Sequence, residues 1–252
     1  MNFNELKEFL DFKAELYENV KFLESDPIQL PHRFERKEDI EIIGFLIATI
    51  AWGKRKSIIK SGETLIEIME HEPFHFIQNY REGSVVHSGF VHRTFNAFDL
   101  DFFFQRLKHV NIHGGLEKAF GISNEFPGIK GRILNFRNLF LKFEHEQRIL
   151  KHISNPLKNS AAKRLNMFLR WMVRDSKRGV DFGIWKSIEQ SELYIPLDIH
   201  TSNNARRLGL LTRKQDDWKA LEELMLSLKK MDPIDPVKYD FALFGLGAFE
   251  KL

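Results

Sequence analysis

The 252-residue sequence predicts an all-α protein, and three observations carry that reading. Apolar residues recur at spacings of three and four through most of the chain. No run alternates apolar and polar residues between turn signals, as a ladder of strands requires. The apolar fraction is 43%, with Phe alone at 24 positions, so a helical core packed largely by aromatic rings is within reach of this length.

The elements follow in order. Leu6, Phe9, Leu10, Lys13, Leu16, Tyr17 and Val20 mark a first amphipathic helix, broken by Ser25-Asp26-Pro27. Pro27 to Arg33 reads as a linker. Ile40 to Trp52 is apolar on nearly every side, as in a helix buried in the middle of a fold. Gly53 ends it, and Lys54-Arg55-Lys56-Ser57 opens a third helix with Ile58, Ile59, Leu65, Ile66 and Met69 inward. The Lys54–Lys56 cluster is either a solvated turn or a contact for an anionic partner. His71-Glu72-Pro73 begins a short helix, Gly83 to Gly89 is loop, and His92-Arg93-Thr94-Phe95 leads into a Phe-rich helix through Val110. Asn111 to Lys130 carries several glycines, and Ile133 to Phe143 forms a longer helix.

Asn155-Pro156-Leu157-Lys158-Asn159-Ser160 reads as a turn, with Ser160 the expected N-cap of the next helix. In that helix Leu165, Phe168, Leu169 and Met172 form one stripe, and Lys163, Met167, Arg170 and Arg174 another. From Arg148 to Arg178 the basic residues, Arg164 among them, face a single acidic Asp175, an imbalance hidden by the overall totals of 38 Lys and Arg against 35 Asp and Glu. A tight turn feeding a helix N-terminus among cations suits a phosphate backbone, and the same pattern also describes a solvated basic face. A second helix starts at Ile195-Pro196-Leu197-Asp198-Ile199-His200-Thr201, where Asp198 reads as an N-cap.

Composition excludes several chemistries. Without cysteine there is no disulfide, thiolate nucleophile, cysteine-ligated zinc or cysteine-bound iron–sulfur cluster. His71, His75, His87, His92, His109 and His113 form no metal-binding spacing, so neither metal nor cofactor is expected. No basic leader precedes an apolar run, and nothing approaches the roughly 20 apolar residues of a membrane span. A cytoplasmic monomer away from membranes is therefore expected.

The stretch Lys163-Arg164-Leu165-Asn166-Met167-Phe168-Leu169 after its turn, then Ile195 to Thr201 and Ala205-Arg206-Arg207-Leu208-Gly209-Leu210, resembles the helix-hairpin-helix DNA glycosylase superfamily. Within it the nearest likeness is to an uncharacterised bacterial family, and the overall pattern is similar to the archaeal 8-oxoguanine DNA glycosylase branch. The likeness covers Ile40–Thr64 and Ile149–Leu252, including Tyr239 to Gly247 as a closing helix. It implies two helical lobes with a cleft between them, DNA as partner with RNA left open, and a catalytic lysine and aspartate at the positions of Lys163 and Asp198. It further implies backbone contacts from Lys54, Arg55, Lys56, Lys158, Asn159, Ser160, Arg164, Arg170 and Arg174, and a base pocket near Trp52 and His200. The activity implied is excision of a damaged, flipped-out base, with strand cleavage too if Lys163 is neutral enough to attack; the alternative is a catalytically silent DNA- or RNA-binding protein.

Three departures stand out. The Gly-x-Gly of the hairpin is replaced by Lys158-Asn159-Ser160, a Gln-type position by Trp52-Gly53-Lys54, and the cluster cysteines of some relatives are absent. A rival hairpin, Phe126-Pro127-Gly128-Ile129-Lys130-Gly131-Arg132, reads more economically as a connecting loop. Trp185 and Tyr194 are aromatics that serve either a pocket or the core.

Overall fold

The computed structural model describes residues 1–175 and 177–250; Lys251 and Leu252, at the end of the span of likeness, lie outside the described residues. Helices dominate, and the described residues divide into two compact units, Leu23–Ile153 and the combination of Met1–Phe22 with Ser154–Leu252.

Unit Leu23–Ile153 is built on α2 (Lys37–Ile50), which is buried from Ile40 to Ile50 without a gap, as its apolar circumference predicts. Glu38 and Asp39 occupy its first turn, where the free amides favour negative charge. Around it run α3 (Arg55–Ile68), α4 (Pro73–Asn79), α5 (Ala97–Ile112), the short α6 (Gly115–Ala119) and α7 (Gly128–Phe140). Phe45 of α2 meets Phe103 of α5 at 5.9 Å between ring centroids, and Phe136 and Phe140 of α7 at 5.4 and 5.5 Å. Phe120 stacks on Phe136 at 4.1 Å. The abundant phenylalanine is thus a contiguous ring core, in edge and offset geometries that add to simple burial. Gly62 of α3 has no room for a side chain against Leu30 and Ile47, so its absence of a Cβ sets how closely α3 approaches α2.

Two boundaries differ from expectation. A hairpin with two residues in each strand, β1 (Val91–His92) and β2 (Phe95–Asn96), turns through Arg93 at φ 56°. It is too short to show any alternation in the sequence. The loop expected over Phe126–Gly131 stops at Pro127, and α7 begins at Gly128. Gly131 belongs inside the helix because a Cβ there would collide with the carbonyl of Phe126.

The other unit joins α1 (Phe3–Tyr17) to α8 (Lys163–Val173), α9 (Ile199–Arg207), α10 (Trp218–Met231) and α11 (Tyr239–Ala248). Asn2 and Glu5 form a capping box at the start of α1. The helix buries Leu6, Leu10 and Ala14 and packs on α11, where Gly245 leaves space for the ring of Tyr17. α11 packs in turn on α9. Phe168, Trp171, Trp185 and Trp218 are fully buried, so Trp185 is core; Tyr194 stacks on Trp218 at 5.5 Å between centroids. Most of the segment between α8 and α9 is irregular, and Phe182 and Trp185 pin it by donating their amides to the carbonyls of Trp171 and Met172 at 2.8 and 2.9 Å.

Because Phe45 meets rings from both α5 and α7, Phe45→Ala should lower unfolding free energy by about 3–5 kcal/mol, measured by urea denaturation.

Candidate active site

The site is assembled from two helix starts in the unit that contains α8 and α9. Lys163 is the first residue of α8, and Asp198 is the N-cap of α9, accepting the amide of Thr201 at 2.8 Å. Lys163 Nζ lies 3.6 Å from Asp198 Oδ2, so residues 35 positions apart in sequence become an ion pair. The lysine side chain is 40% exposed and the aspartate 13%. An accessible ammonium therefore sits over a largely covered carboxylate whose other oxygen is fixed by a backbone amide.

The turn before α8 achieves its shape without glycine. Asn159 at φ 62° and Ala162 at φ 48° both take the left-handed conformation. For asparagine this is mild, whereas for alanine it is unfavourable and must be enforced by surroundings. Asp217 does the enforcing at Asn159. Its Oδ2 accepts Asn159 Nδ2 at 2.7 Å, Ser160 forms a bridge with it, and the next residue, Trp218, donates its amide to the Asn159 carbonyl at 3.0 Å. Asp217 also caps α10 by accepting the amide of Ala220 at 3.0 Å. The hydrogen bonds and charge of Arg213, with those of Ala220 and Asn159, hold its carboxyl well below the usual carboxylate range.

Ser160 is not the N-cap of α8. Ala162 takes that position, and the Ser160 hydroxyl accepts the Ala162 amide at 3.3 Å. The N-cap Ala162 has no side chain that can cap the first turn of α8.

Two of the expected backbone contacts are corrected. Arg170 and Arg174 are each 4% exposed and belong to a buried ion network rather than to a basic face. Arg170 donates to Asp240 and, through Nε, to Asp181 at 3.2 Å. Arg174 donates to Asp181 at 3.0 Å, to Glu18 of α1 through both terminal nitrogens, and to both oxygens of Asp235. Helical spacing alone cannot distinguish a cationic stripe facing water from one facing carboxylates brought from elsewhere. Elsewhere in the basic stretch, Arg178 Nη2 is 3.2 Å from Glu15, and Arg148 reaches Asp99 in the other unit's own residues at 3.0 Å. Among the cations of this stretch Lys151, Lys158, Lys177 and Arg178 are exposed; beside the candidate pair stand Lys158 in the turn and the half-buried Arg164 at the start of α8. Burial pushes the Arg164 guanidinium down to about 10, which leaves it charged at neutral pH.

His200 is exposed in the first turn of α9, 5.9 Å from the ring of Phe244, and Gly247 leaves room for it. Trp52, Lys54, Arg55 and Lys56 lie in the unit Leu23–Ile153. There the half-buried Trp52 meets the edge of His92 at 5.2 Å and stacks on His152 at 6.1 Å. His92 bonds the Trp52 carbonyl at 3.2 Å and the Ser61 hydroxyl at 2.8 Å, and burial holds its ring below the ordinary histidine range. Lys54 and Lys56 are exposed, while Arg55 is 4.0 Å from Asp26.

The carboxyl that the sequence reading passed over is Asp240. It is buried behind the ion pair, accepts the Thr201 hydroxyl at 3.4 Å, and contacts Arg170. Burial raises its carboxyl to about 7; Asp198 and Asp181 push in the same direction, against Arg170 and Lys163. The sequence did carry a signal, since Asp240 is the only charged residue in the otherwise apolar helix Tyr239–Ala248.

The fold and site define an all-α protein with a lysine and an aspartate paired at two helix N-termini. The chain belongs to the DUF2400 family, described as a protein of unknown function, whose profile matches residues 26–249. No curated protein and no solved structure matches it. Among the described residues no helix is long and apolar enough to cross a membrane.

Three outcomes follow. Asp217→Ala should destabilise by about 1–2 kcal/mol through the lost α10 cap and turn tether, read by thermal or urea melting. Arg174→Met should remove about 3–5 kcal/mol, because Glu18, Asp181 and Asp235 then lie buried without their cation. The ordinary value of the Asp240 carboxyl is 3.8 and its folded value is about 7, so the folded state holds a proton that the unfolded chain has released. Stability should therefore fall as pH rises between these values and level off above, and Asp240→Asn should flatten that slope in urea titrations at successive pH.

Proposed function

We propose that the Lys163–Asp198 pair is the reaction centre of a DNA-repair glycosylase that also cleaves abasic strands. The observation that carries this reading is the 3.6 Å approach of Nζ to Oδ2, an accessible amine over a shielded carboxylate at adjoining helix starts. A base must be flipped from the duplex before its glycosidic bond is reachable. Lys158 and Arg164, on either side of the start of α8, supply donors and charge for the phosphodiester flanking that nucleotide. As the C1′–N bond breaks, the departing base takes the bonding electrons and positive charge grows on the sugar, where the Asp198 carboxylate stabilises it. Lys163, once it has passed a proton to water, adds its lone pair to C1′; the C1′–O4′ bond then breaks to give an iminium and a free hydroxyl, a C2′ proton is lost to water or to the Asp198 carboxylate, and the 3′ phosphate departs with the C3′–O electrons, cleaving the strand.

A second reading, a nucleic-acid-binding protein without turnover, draws on the same contact. The pair can be purely structural, each charge spent on the other and Asp198 spent on capping α9. It also draws on the glycine-free turn.

Borohydride trapping against duplexes carrying oxidised, deaminated or abasic sites separates the two. The glycosylase reading requires a covalent adduct with wild type that is absent from Lys163→Gln, and a loss of base release of about a hundredfold or more in Asp198→Asn with DNA affinity retained. Salt-sensitive binding to DNA or RNA with neither adduct nor base release would leave the binding protein.

A further inference from the structure

The buried network behind Lys163 and Asp198 carries more negative charge than positive. Ionised, Glu18, Asp181, Asp198, Asp235 and Asp240 face Lys163, Arg170 and Arg174. A phosphodiester arriving at Lys163 is met by Lys158 and Arg164 outside, and adds a negative charge in front of a buried network that is itself in excess. That is an odd foundation for binding a polyanion unless one of the carboxyls can be discharged.

The geometry singles out which one. Asp181 lies between two guanidinium groups. Glu18 and Asp235 are each gripped by Arg174 through two hydrogen bonds or more. Asp198 is bound by a backbone amide and faces Lys163. Asp240 has Arg170 on one oxygen and, on the other, among the described residues, the Thr201 hydroxyl alone at 3.4 Å. A hydroxyl can donate to a carboxylate or accept from a carboxylic acid, so this partner suits both protonation states. The charged groups around Asp240 are Lys163 and Arg170 from α8, Asp181 from the segment after it, Asp198 and the outer His200 from α9, and Glu18 from α1 by way of Arg174. On its own helix the neighbouring Tyr239 donates to Asp11 of α1 instead.

We propose that Asp240 is a third functional carboxyl of the Lys163–Asp198 site, a positioning residue that seats the first turn of α9 through Thr201 and takes up a proton when a phosphodiester binds. This rests on the nucleic-acid reading of that site. The linkage is reciprocal: an anion near Lys163 strengthens the hold of Asp240 on its proton, and the proton strengthens the hold of the site on the anion. Burial raises the carboxyl from its ordinary range to about 7, which lets this exchange operate at physiological pH. Asp240→Asn mimics the protonated form and should bind the anion as wild type does at low pH.

The test uses the full chain and a short duplex bearing a tetrahydrofuran abasic-site analogue, with affinity followed by fluorescence anisotropy at fixed salt from pH 6 to 8.5. Wild-type affinity should weaken about three- to tenfold across that range, Asp240→Asn should hold its affinity nearly flat, and His200→Gln should keep the wild-type slope. Equal slopes in wild type and Asp240→Asn, or a slope lost in His200→Gln, would overturn the proposal. Calorimetry of wild type in buffers of different ionisation enthalpy needs no variant to fold: net proton uptake at pH 7.5 supports it, reduced in Thr201→Val, and zero uptake refutes it. Failure to bind the duplex at any pH would instead strike the nucleic-acid reading itself, a result distinguishable from binding without linkage.

Discussion

The unit that carries the candidate site depends on two buried guanidinium groups. Arg170 in α8 and Arg174 at its C-cap, one turn apart, collect carboxylates from the C-cap of α1, from the irregular segment after α8, from the turn before α11 and from α11 itself. Taking such charges out of water is costly, and an apolar replacement of equal shape can be the more stable choice. What ions supply and apolar packing does not is direction. Each guanidinium fork accepts carboxylates only in its own plane, so the four contributing segments are held in one relative arrangement, and the start of α9 inherits its position from it. Burial penalises the charges unequally. Arg174 is raised despite burial because the bonds of Asp235 and Glu18 outweigh it, while Asp181 is raised because burial outweighs the two arginines.

Much of the fold was legible because helical periodicity is a local property. α2, α3, α4 and α5 lie where the apolar spacing and the breaking prolines and glycines put them, whereas α1 stops at Tyr17 and Val20 falls in a separate 3-10 turn, Val20–Ser25. The hairpin of Val91 to Asn96 and the five-residue α6 were not legible, since neither is long enough to display a period. The start of α7 was missed because Pro127-Gly128 and Gly131 read as turn chemistry, whereas Gly131 serves close approach to the Phe126 carbonyl inside a helix.

The site was legible in part. Asp198 announced itself as an N-cap, and the structure brings Lys163 to it. The roles of Arg170 and Arg174 were misread because their partners lie far away in sequence, at Glu18, Asp181, Asp235 and Asp240. The turn before α8 shows the same limit from another side. Left-handed geometry at Ala162 has no signature in residue type, since alanine is a helix former and only tertiary restraint explains its conformation. Asp217, which restrains that turn from the start of α10, could be recognised only once the two segments were seen side by side.

The discontinuity of the unit bearing the site has a temporal meaning. On a ribosome α1 is made before any of Leu23–Ile153, yet the surface it covers on α11 is made after all of that unit. The intervening unit contains its own ring core and can close while synthesis continues, whereas Leu6, Leu10 and Ala14 stay without their partner until Tyr239–Ala248 has emerged. Glu18 waits equally long for the network it completes. The lysine–aspartate pair thus gains its buried support only once Tyr239–Ala248 has emerged, and a nascent chain that stops short of it carries Lys163 without the scaffold that aims it.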